Sequence, residues 1–282
     1  GCISGSSNGF VSFDNVSFTS NSAGKYGGVV VYDDAVNITL FNTTMNNNLA
    51  GLSGGCFFLE NNNHVNVSKS RLTKNVASNN NGGCISMKRN SSITIDHSTL
   101  KENTAFHGDG GCIVGRSNIT VGIQHTKIVS NQAGKNGGCM SFGDDTNVDI
   151  SSCVIDTNTA NQSGGIMYMK TRSYMHFVRN TTITNNKALY GDGGGFYNLA
   201  IYNIVLTKIH NNSARENGGF VYVDMMYENK LRIIKSSVKN NIAKTKSGGV
   251  MIIHNVLADG LSVDIEGTQY VQNQAGMSGG MM

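Results

Sequence analysis

Four cysteines recur at nearly constant spacing in this 282-residue chain. Of all its residues, they most resemble a set of side chains that could form a reactive or metal-binding site. Cys56, Cys84, Cys112 and Cys139, called the cysteine ladder below, each follow a Gly-Gly pair, and Cys2 holds the equivalent place near the start. Thiols in such a series could be buried as small apolar side chains, joined as disulfides, or bound to zinc. The choice depends on the elements that carry these positions.

Acidic residues are the second group of candidate metal-binding or catalytic side chains. Asp33-Asp34 and Asp144-Asp145 are pairs separated by 111 residues, and Asp149 follows the second pair closely. Clustered carboxylates bind calcium, and glycosidases use two carboxylates about 5–10 Å apart. Glutamate is too scarce and scattered to complete a pair of that kind. We therefore interpret these aspartates as solvated turn and strand residues.

The seven histidines show no spacing typical of a metal set or a Ser-His-Asp group. His97, His125 and His210 occupy similar places in the chain, in units that are mostly not adjacent. The sequence therefore predicts no catalytic residue, no cofactor-binding residue, no metal ligand and no cofactor. It predicts a protein that is not an enzyme.

The secondary-structure elements that carry these residues can be inferred from an internal repeat. The motif Asn-x-Ala recurs at intervals of 26–32 residues, and a Gly-Gly pair follows each copy. Ten copies span the chain, so we predict one repeat array over residues 1–282, entered and left in mid-repeat as part of a longer protein. The motif asparagines are Asn21, Asn48, Asn75, Asn103, Asn131, Asn158, Asn186, Asn212, Asn241 and Asn273.

Apolar residues recur at fixed places within each repeat. They stand ten and eight residues before the asparagine with a polar residue between them, as in Ile93 and Ile95, again three residues before it, and again after Gly-Gly. Alternation of this kind is typical of strands with one buried face. The pattern predicts an all-β, right-handed parallel β-helix (β-solenoid) of about ten coils of about 28 residues, with three short strands per coil.

The stacking of coils explains why the Asn, Ala and Gly-Gly positions recur in every repeat. Each motif asparagine can pass side-chain amide hydrogen bonds along the axis and tolerates left-handed corners, alanine fits a tight interior, and Gly-Gly supplies positive φ or close approach. The cysteine ladder would stack at about 4.8 Å per coil. In-register side chains point the same way, which suits a disulfide badly, and a straight column does not surround zinc. Buried free thiols and inter-coil disulfides both stay open.

Nine Asn-x-Ser/Thr sequons offer possible N-glycosylation. Several flank inward apolar positions or a corner, where the side chain should point outward, and no motif asparagine lies in a sequon. That distribution fits a secreted glycoprotein. The sequons are Asn15, Asn37, Asn42, Asn66, Asn90, Asn118, Asn161, Asn180 and Asn211.

The repeat resembles a known family. Gly27-Gly28-Val29 and the Phe18 to Asn21 segment match the GG-[apolar] and FxxN motifs of chlamydial polymorphic outer membrane protein (Pmp)-type repeats, which also occur in protist surface proteins. Other copies replace the phenylalanine with Met, Leu, Ile, Val or Tyr. The resemblance implies a β-helical, surface-displayed or secreted protein that acts in adhesion or structure.

The function expected from these observations is a non-enzymatic extracellular rod or filament subunit at a cell surface. The formal charge of +4 is too small and dispersed for a nucleic-acid surface, and no apolar run is long enough to span a membrane. Expected partners are a second copy stacked end to end, further coils of the same chain, or glycans. The alternative is a carbohydrate-binding or polysaccharide-cleaving β-helix; the longest repeat leaves room for one loop around His254 to Leu261.

Overall fold

The structure is a computed structural model that describes residues 2–170, 173–197, 200–226, 230–256 and 262–280. The described chain is all-β, and equivalent strands of successive coils pair in parallel. Within these ranges no helical segment has the length and apolar character needed to cross a bilayer. Most of the loop expected around His254 to Leu261 lies outside the described ranges, since these omit residues 257–261.

The wide sheet contains two strands from most coils, one after Gly-Gly and one with the alternating apolar pattern. Two long strands, Ile85–Asp96 and Ile113–Gln124, run through both places without interruption. The other strands after Gly-Gly are Ile3–Gly5, Val30–Asp34, Phe57–Asn61, Met140–Asp144, Met167–Met169, Phe196–Tyr197, Val221–Met226 and Met251–Val256. The other alternating strands are Gly9–Asp14, Val36–Phe41, His64–Ser68, Asn147–Ser151, Tyr174–Arg179, Ala200–Val205, Lys230–Ile234 and Ser262–Glu266.

Two sheets of ten shorter strands complete the coils. The middle sheet holds three-residue strands centred three residues before each motif asparagine, and the short sheet holds the two residues after it. The middle-sheet strands are Ser17–Thr19, Thr44–Asn46, Arg71–Thr73, Thr99–Lys101, Lys127–Val129, Val154–Asp156, Thr182–Thr184, Lys208–His210, Ser237–Lys239 and Gln269–Val271. The short-sheet strands are Ser22–Ala23, Leu49–Ala50, Val76–Ala77, Thr104–Ala105, Gln132–Ala133, Thr159–Ala160, Lys187–Ala188, Ser213–Ala214, Ile242–Ala243 and Gln274–Ala275.

The parallel β-solenoid predicted from the repeat is confirmed, with one difference in how strands are grouped. The middle sheet and the short sheet each contain ten stacked strands, which correspond to about nine complete turns. The strand after Gly-Gly and the alternating strand share one sheet, and the Asn-x-Ala motif itself supplies the third. This happens because a two-residue extended segment already pairs with its copies in neighbouring coils, as Ala77 does with Ala50 and Ala105.

The core lies inside the coil and consists of columns of equivalent residues. In the middle sheet Leu72 pairs with Met45 and with Leu100, and the three side chains are fully buried. Removal of each such side chain from water contributes about 1.5–3 kcal/mol. Alanines of the short sheet are buried as expected, with Ala77 and Ala105 at 0% exposure.

The two glycines of each pair have different tasks. Gly54 has φ +68°, a left-handed conformation that costs glycine little. A Cβ on Gly55 would lie 2.2 Å from the carbonyl oxygen of Gly83 in the next coil, so only glycine allows that approach. Positive φ and close approach are therefore both required, one at each position.

Candidate functional site

The motif asparagines form one continuous hydrogen-bonded ladder along the axis. Nδ2 of Asn103 donates to Oδ1 of Asn131 at 3.0 Å, and the backbone N of Asn103 donates to the same oxygen at 3.0 Å. Nδ2 of Asn103 also donates to the carbonyl of Leu72 at 2.9 Å. The Nδ2 to Oδ1 bond repeats from Asn21 to Asn273 at 2.9–3.0 Å.

This ladder confirms the amide hydrogen bonding expected from the sequence and corrects one detail of it. The left-handed residue at this corner precedes the ladder asparagine: Asn47 has φ +57° and Lys74 has φ +56°, whereas Asn48 and Asn75 are not among the residues with positive φ. The ladder positions therefore require an amide, and the preceding positions require only a backbone conformation. Because the amides are buried and satisfied by one another, the ladder is a structural element.

The cysteine ladder lies inside the coil beside the asparagines. Its four thiols are fully buried, and all six cysteines of the chain, including Cys2, are free in the structure. Nδ2 of Asn103 approaches Sγ of Cys112 at 3.4 Å. Burial raises the pKa of Cys84 and Cys139 well above the usual thiol range, which keeps these thiols protonated and unreactive at neutral pH.

A second ladder, of hydroxyls, stands five residues before the motif asparagines and was missed in the sequence interpretation. Oγ of Ser70 accepts a hydrogen bond from the backbone N of Thr43 at 3.0 Å, and Oγ of Ser98 accepts one from Ser70 N at 3.0 Å. Cys153 occupies this column in place of a serine or threonine and donates to the carbonyl of Ser151 at 3.1 Å. Burial raises the pKa of Cys153 to about 11. Recurring Ser or Thr at this place was the available signal.

A third ladder lies directly before the Gly-Gly pairs. Oδ1 of Asp109 accepts hydrogen bonds from the backbone N and Nδ2 of Asn136 at 3.0 and 3.1 Å. Asp192 is bonded in the same way by Asn217 at 2.8 and 2.9 Å, and burial raises the pKa of Asp192. These two aspartates therefore serve as ladder acceptors.

The acidic pairs stay far apart. Strand register links Asp34 to Asp144 through Asn61, Arg89 and Ser117, which places the two aspartates four coils from each other, as expected. At about 4.8 Å per coil they cannot share one ion.

Asp149 differs from the expected solvated residue. It lies between the buried Val148 and Ile150, but its Oδ1 is shielded from solvent and has no hydrogen-bond partner. Gly122 in the preceding coil has no side chain, and the strand register shifts before Phe177 in the following coil.

A histidine and aspartate cluster forms at the corner between the wide and middle sheets, and we call it the histidine corner. Oδ1 of Asp96 lies 2.8 Å from Nδ1 of His97 and 3.1 Å from Nδ1 of His125. The two imidazole rings stack with centroids 4.5 Å apart and an interplanar angle of 24°. His97 and His125 are 28 residues apart and thus on adjacent coils, whereas His210 lies three coils beyond His125.

The contacts with His97 and His125 affect the titration of Asp96. Burial would raise the pKa of Asp96, but hydrogen bonds and charge from His97 and His125 outweigh it, and the pKa is lowered. The three donor atoms, which the sequence did not identify as a metal set, lie within 4.8 Å of one another. Side-chain exposure is 33% for Asp96, 57% for His97 and 49% for His125, so the cluster is open to solutes.

An axial groove of about 420 Å³ runs along the outer face of the wide sheet. Its floor is the stacked column of Ser86, Val114 and Ser141, which have small side chains between Phe58 and Tyr168. The groove exists because three consecutive coils carry small residues where the flanking coils carry aromatic ones.

The ends and one wall of the axial groove carry aromatic and cationic groups. Tyr26 stacks on Phe58 with ring centroids 4.2 Å apart. Lys88 pairs with Glu60, and the exposed Arg116 and Lys170 continue the same wall. Tyr168 begins an outward aromatic stack at the other end, which continues as Tyr197 and Tyr222 with centroid spacings of 4.9 and 5.1 Å.

The sequon asparagines lie on the outer surface. Eight are exposed and Asn161 is half-buried. Six of the nine have positive φ, which the corners themselves require and which asparagine tolerates well. The fold thus accounts for asparagine at those places whether or not glycans are attached. The six are Asn15, Asn42, Asn90, Asn118, Asn180 and Asn211.

Comparisons with protein-family models, curated proteins and solved structures find no match to this chain.

Proposed function

We propose that this protein is a non-enzymatic structural or adhesive β-solenoid, a rigid rod or filament subunit of a cell-surface or secreted glycoprotein. The observation that carries the proposal is the unbroken asparagine ladder from Asn21 to Asn273. A ladder that satisfies buried amides in every coil gives a stiff axis without supplying a reactive group.

The distribution of constant and variable positions supports this function. Interior columns are filled by apolar side chains, alanines and thiols, so their identities serve packing. Outward positions vary from coil to coil, as where the axial groove replaces aromatic residues with Ser86, Val114 and Ser141. A rod whose interior is uniform and whose surface varies is suited to displaying binding features along its length.

Surface display and glycosylation are part of the same proposal. The resemblance to Pmp-type repeats favours an extracellular or cell-surface location, and the exposed sequons leave room for glycans on the outer face. Stacking on a second copy, or continuation into further coils, is compatible with this fold because parallel strands offer unpaired backbone groups at a stack edge.

The proposal is tested on native material from the source cells. Antibodies to the chain should stain intact, non-permeabilised cells or detect it in the medium, and electron microscopy should resolve thin rods or filaments. Peptide mass spectrometry should find glycans on exposed sequons. Staining that appears only after permeabilisation, with all nine sequons unmodified, would contradict the extracellular part of the proposal.

Carbohydrate binding is the second candidate, and the axial groove provides a specific place for it. Aromatic rings at both ends and the exposed cations Arg116 and Lys170 suit an acidic oligosaccharide, through stacking and charge. Polysaccharide cleavage has less support, since Oδ1 of Asp109 in the groove wall is occupied by Asn136.

A glycan array with acidic and neutral sugars distinguishes the two candidates. If the groove binds, Arg116→Ala should weaken retention of acidic glycans, whereas Tyr190→Ala, at a residue 68% exposed that is not among the groove-lining residues, should not. Equal retention by both variants would remove the groove from consideration.

A further inference from the structure

We propose that the histidine corner, formed by Asp96, His97 and His125, is a binding site for a divalent transition-metal ion such as Zn²⁺. Two imidazoles and one carboxylate are a donor set that such ions prefer, and all three residues come from adjacent coils held in fixed register. The site goes beyond the structural function proposed above and is independent of it.

The separations between Asp96 and each histidine already approximate those of a metal centre. With metal–ligand bonds of about 2.0–2.2 Å, neighbouring ligands lie about 2.9–3.4 Å apart in tetrahedral or octahedral geometry. Asp96 Oδ1 lies 2.8 Å from His97 Nδ1 and 3.1 Å from His125 Nδ1, and no pair of donor atoms exceeds 4.8 Å. Because the two rings are stacked 4.5 Å apart at an interplanar angle of 24°, binding requires both imidazoles to rotate out of the stack, so that the unprotonated Nδ1 of each ring points at the ion.

The backbone at the site is rigid and repeated. His97 and His125 have φ +47° and +48°, the same left-handed conformation that Asn42 and Asn180 adopt at +47° and +49° in other coils. The corner therefore fixes the direction of each Cα–Cβ bond independently of the side chain's chemistry. Histidines at two successive coils are consequently directed to one point in front of Asp96.

Space for a further ligand adjoins the cluster. Asp96 also borders a depression of about 220 Å³ whose lining includes Gln124, Asp149 and Arg179. The shielded Oδ1 of Asp149 has no hydrogen-bond partner there. A metal ion held by three protein donors keeps open coordination positions, which water or an external anionic group can occupy from this side.

Isothermal titration of the purified chain with ZnCl₂ tests the site, in a Cys2→Ser background that removes the exposed thiol. We expect one ion per chain. His97→Asn and His125→Asn should each weaken binding by at least about tenfold, since even the loss of a residue that only supports a ligand typically costs 10–100-fold. Asparagine is the suitable replacement because it tolerates the left-handed corner.

Lys69→Asn is the matched control. Lys69 occupies the same corner one coil before His97, has φ +47°, and directs its Nζ over the Phe41 ring at 5.2 Å. This variant removes a positive charge and no donor, so Zn²⁺ affinity should be unchanged or slightly raised. Circular dichroism of each variant verifies that the fold is intact.

Cobalt spectroscopy identifies the ligands independently. Co²⁺ bound by nitrogen and oxygen donors gives visible d–d bands without thiolate charge transfer, and these bands should disappear in His125→Asn. Absence of saturable binding, unchanged binding in both histidine variants, or a thiolate charge-transfer band would each overturn the proposal.

Discussion

The asparagine ladder yields the sharpest prediction about stability, through the substitution Asn131→Ala. The Asn131 side chain donates to Asn158 Oδ1 at 2.9 Å and to the Leu100 carbonyl at 3.1 Å. Its Oδ1 accepts the backbone N and the Nδ2 of Asn103, both at 3.0 Å. Alanine removes all four hydrogen bonds in a region with no exposure to solvent.

The expected loss follows from the groups left without a partner. Two donors of Asn103 lose their acceptor, and each buried unsatisfied group costs about 1–3 kcal/mol. Asn158 Oδ1 retains the backbone N of Asn131 at 3.0 Å, so it contributes less. We expect Asn131→Ala to lower the free energy of unfolding by about 2–6 kcal/mol.

Guanidinium denaturation followed by far-ultraviolet circular dichroism measures this loss. Asn147→Ala is the control, because Asn147 is exposed on a wide-sheet strand, and such surface changes stay within about 0.5 kcal/mol. Hydrogen exchange should also rise first in the coils around Asn131, since each repeat depends on its neighbours. If the two variants unfold at the same denaturant concentration, the ladder does not stabilise the coil in the way described.

Three further predictions concern the glycines, the thiols and the sequons. Gly83→Ala should prevent folding or destabilise severely, because its Cβ would lie 2.1 Å from a backbone carbonyl oxygen of the next coil, whereas Gly122→Ala, whose nearest neighbour is a side-chain carbon at 3.8 Å, should leave the melting temperature nearly unchanged. Iodoacetamide should label Cys2 in the native chain and the cysteine ladder only after denaturation without reductant; ladder thiols that resist labelling after denaturation would indicate disulfides. Asn118 Nδ2 donates to Asn90 Oδ1 at 3.0 Å, so glycans should not occupy both, and Asn90→Gln should raise occupancy at Asn118 in secreted material; equal occupancy with and without the substitution would argue against this exclusion.

Most of the fold is predictable from the sequence because one geometric constraint acts on every coil. A residue such as Ala105 is fixed by the space available in the interior, and the same space recurs in each repeat, so the letter recurs too. The grouping of strands was less predictable. Whether the segment after Gly-Gly joins the alternating strand depends on the corner between them, and in two coils, including Ile85–Asp96, the strand continues through it.

The histidine corner was harder to predict because it depends on side chains that the repeat leaves free. The 28-residue interval between His97 and His125 equals one coil and could have indicated that the two residues are neighbours. The sequence interpretation grouped them with His210, which lies three coils beyond, and therefore treated the histidines as mostly not adjacent. Asp96 stands one residue before the corner. The contact of its Oδ1 with Nδ1 of both histidines depends on the course of the backbone at the corner. The repeat likewise gives no indication that Oδ1 of Asp149 is shielded, since a solvated residue is expected there.

The two kinds of corner position suggest where specific function can arise in this solenoid. A ladder residue such as Asn103 must supply an amide to both neighbouring coils, so replacing it disturbs several hydrogen bonds. The left-handed corner that holds His97 requires only a tolerated φ, and other coils place Lys69 or Ser152 there. Side chains at this corner are stacked in register and directed outward, yet their chemistry is unconstrained by the core. Two histidines in successive coils are therefore enough to assemble a donor cluster without any cost to the ladder that holds it.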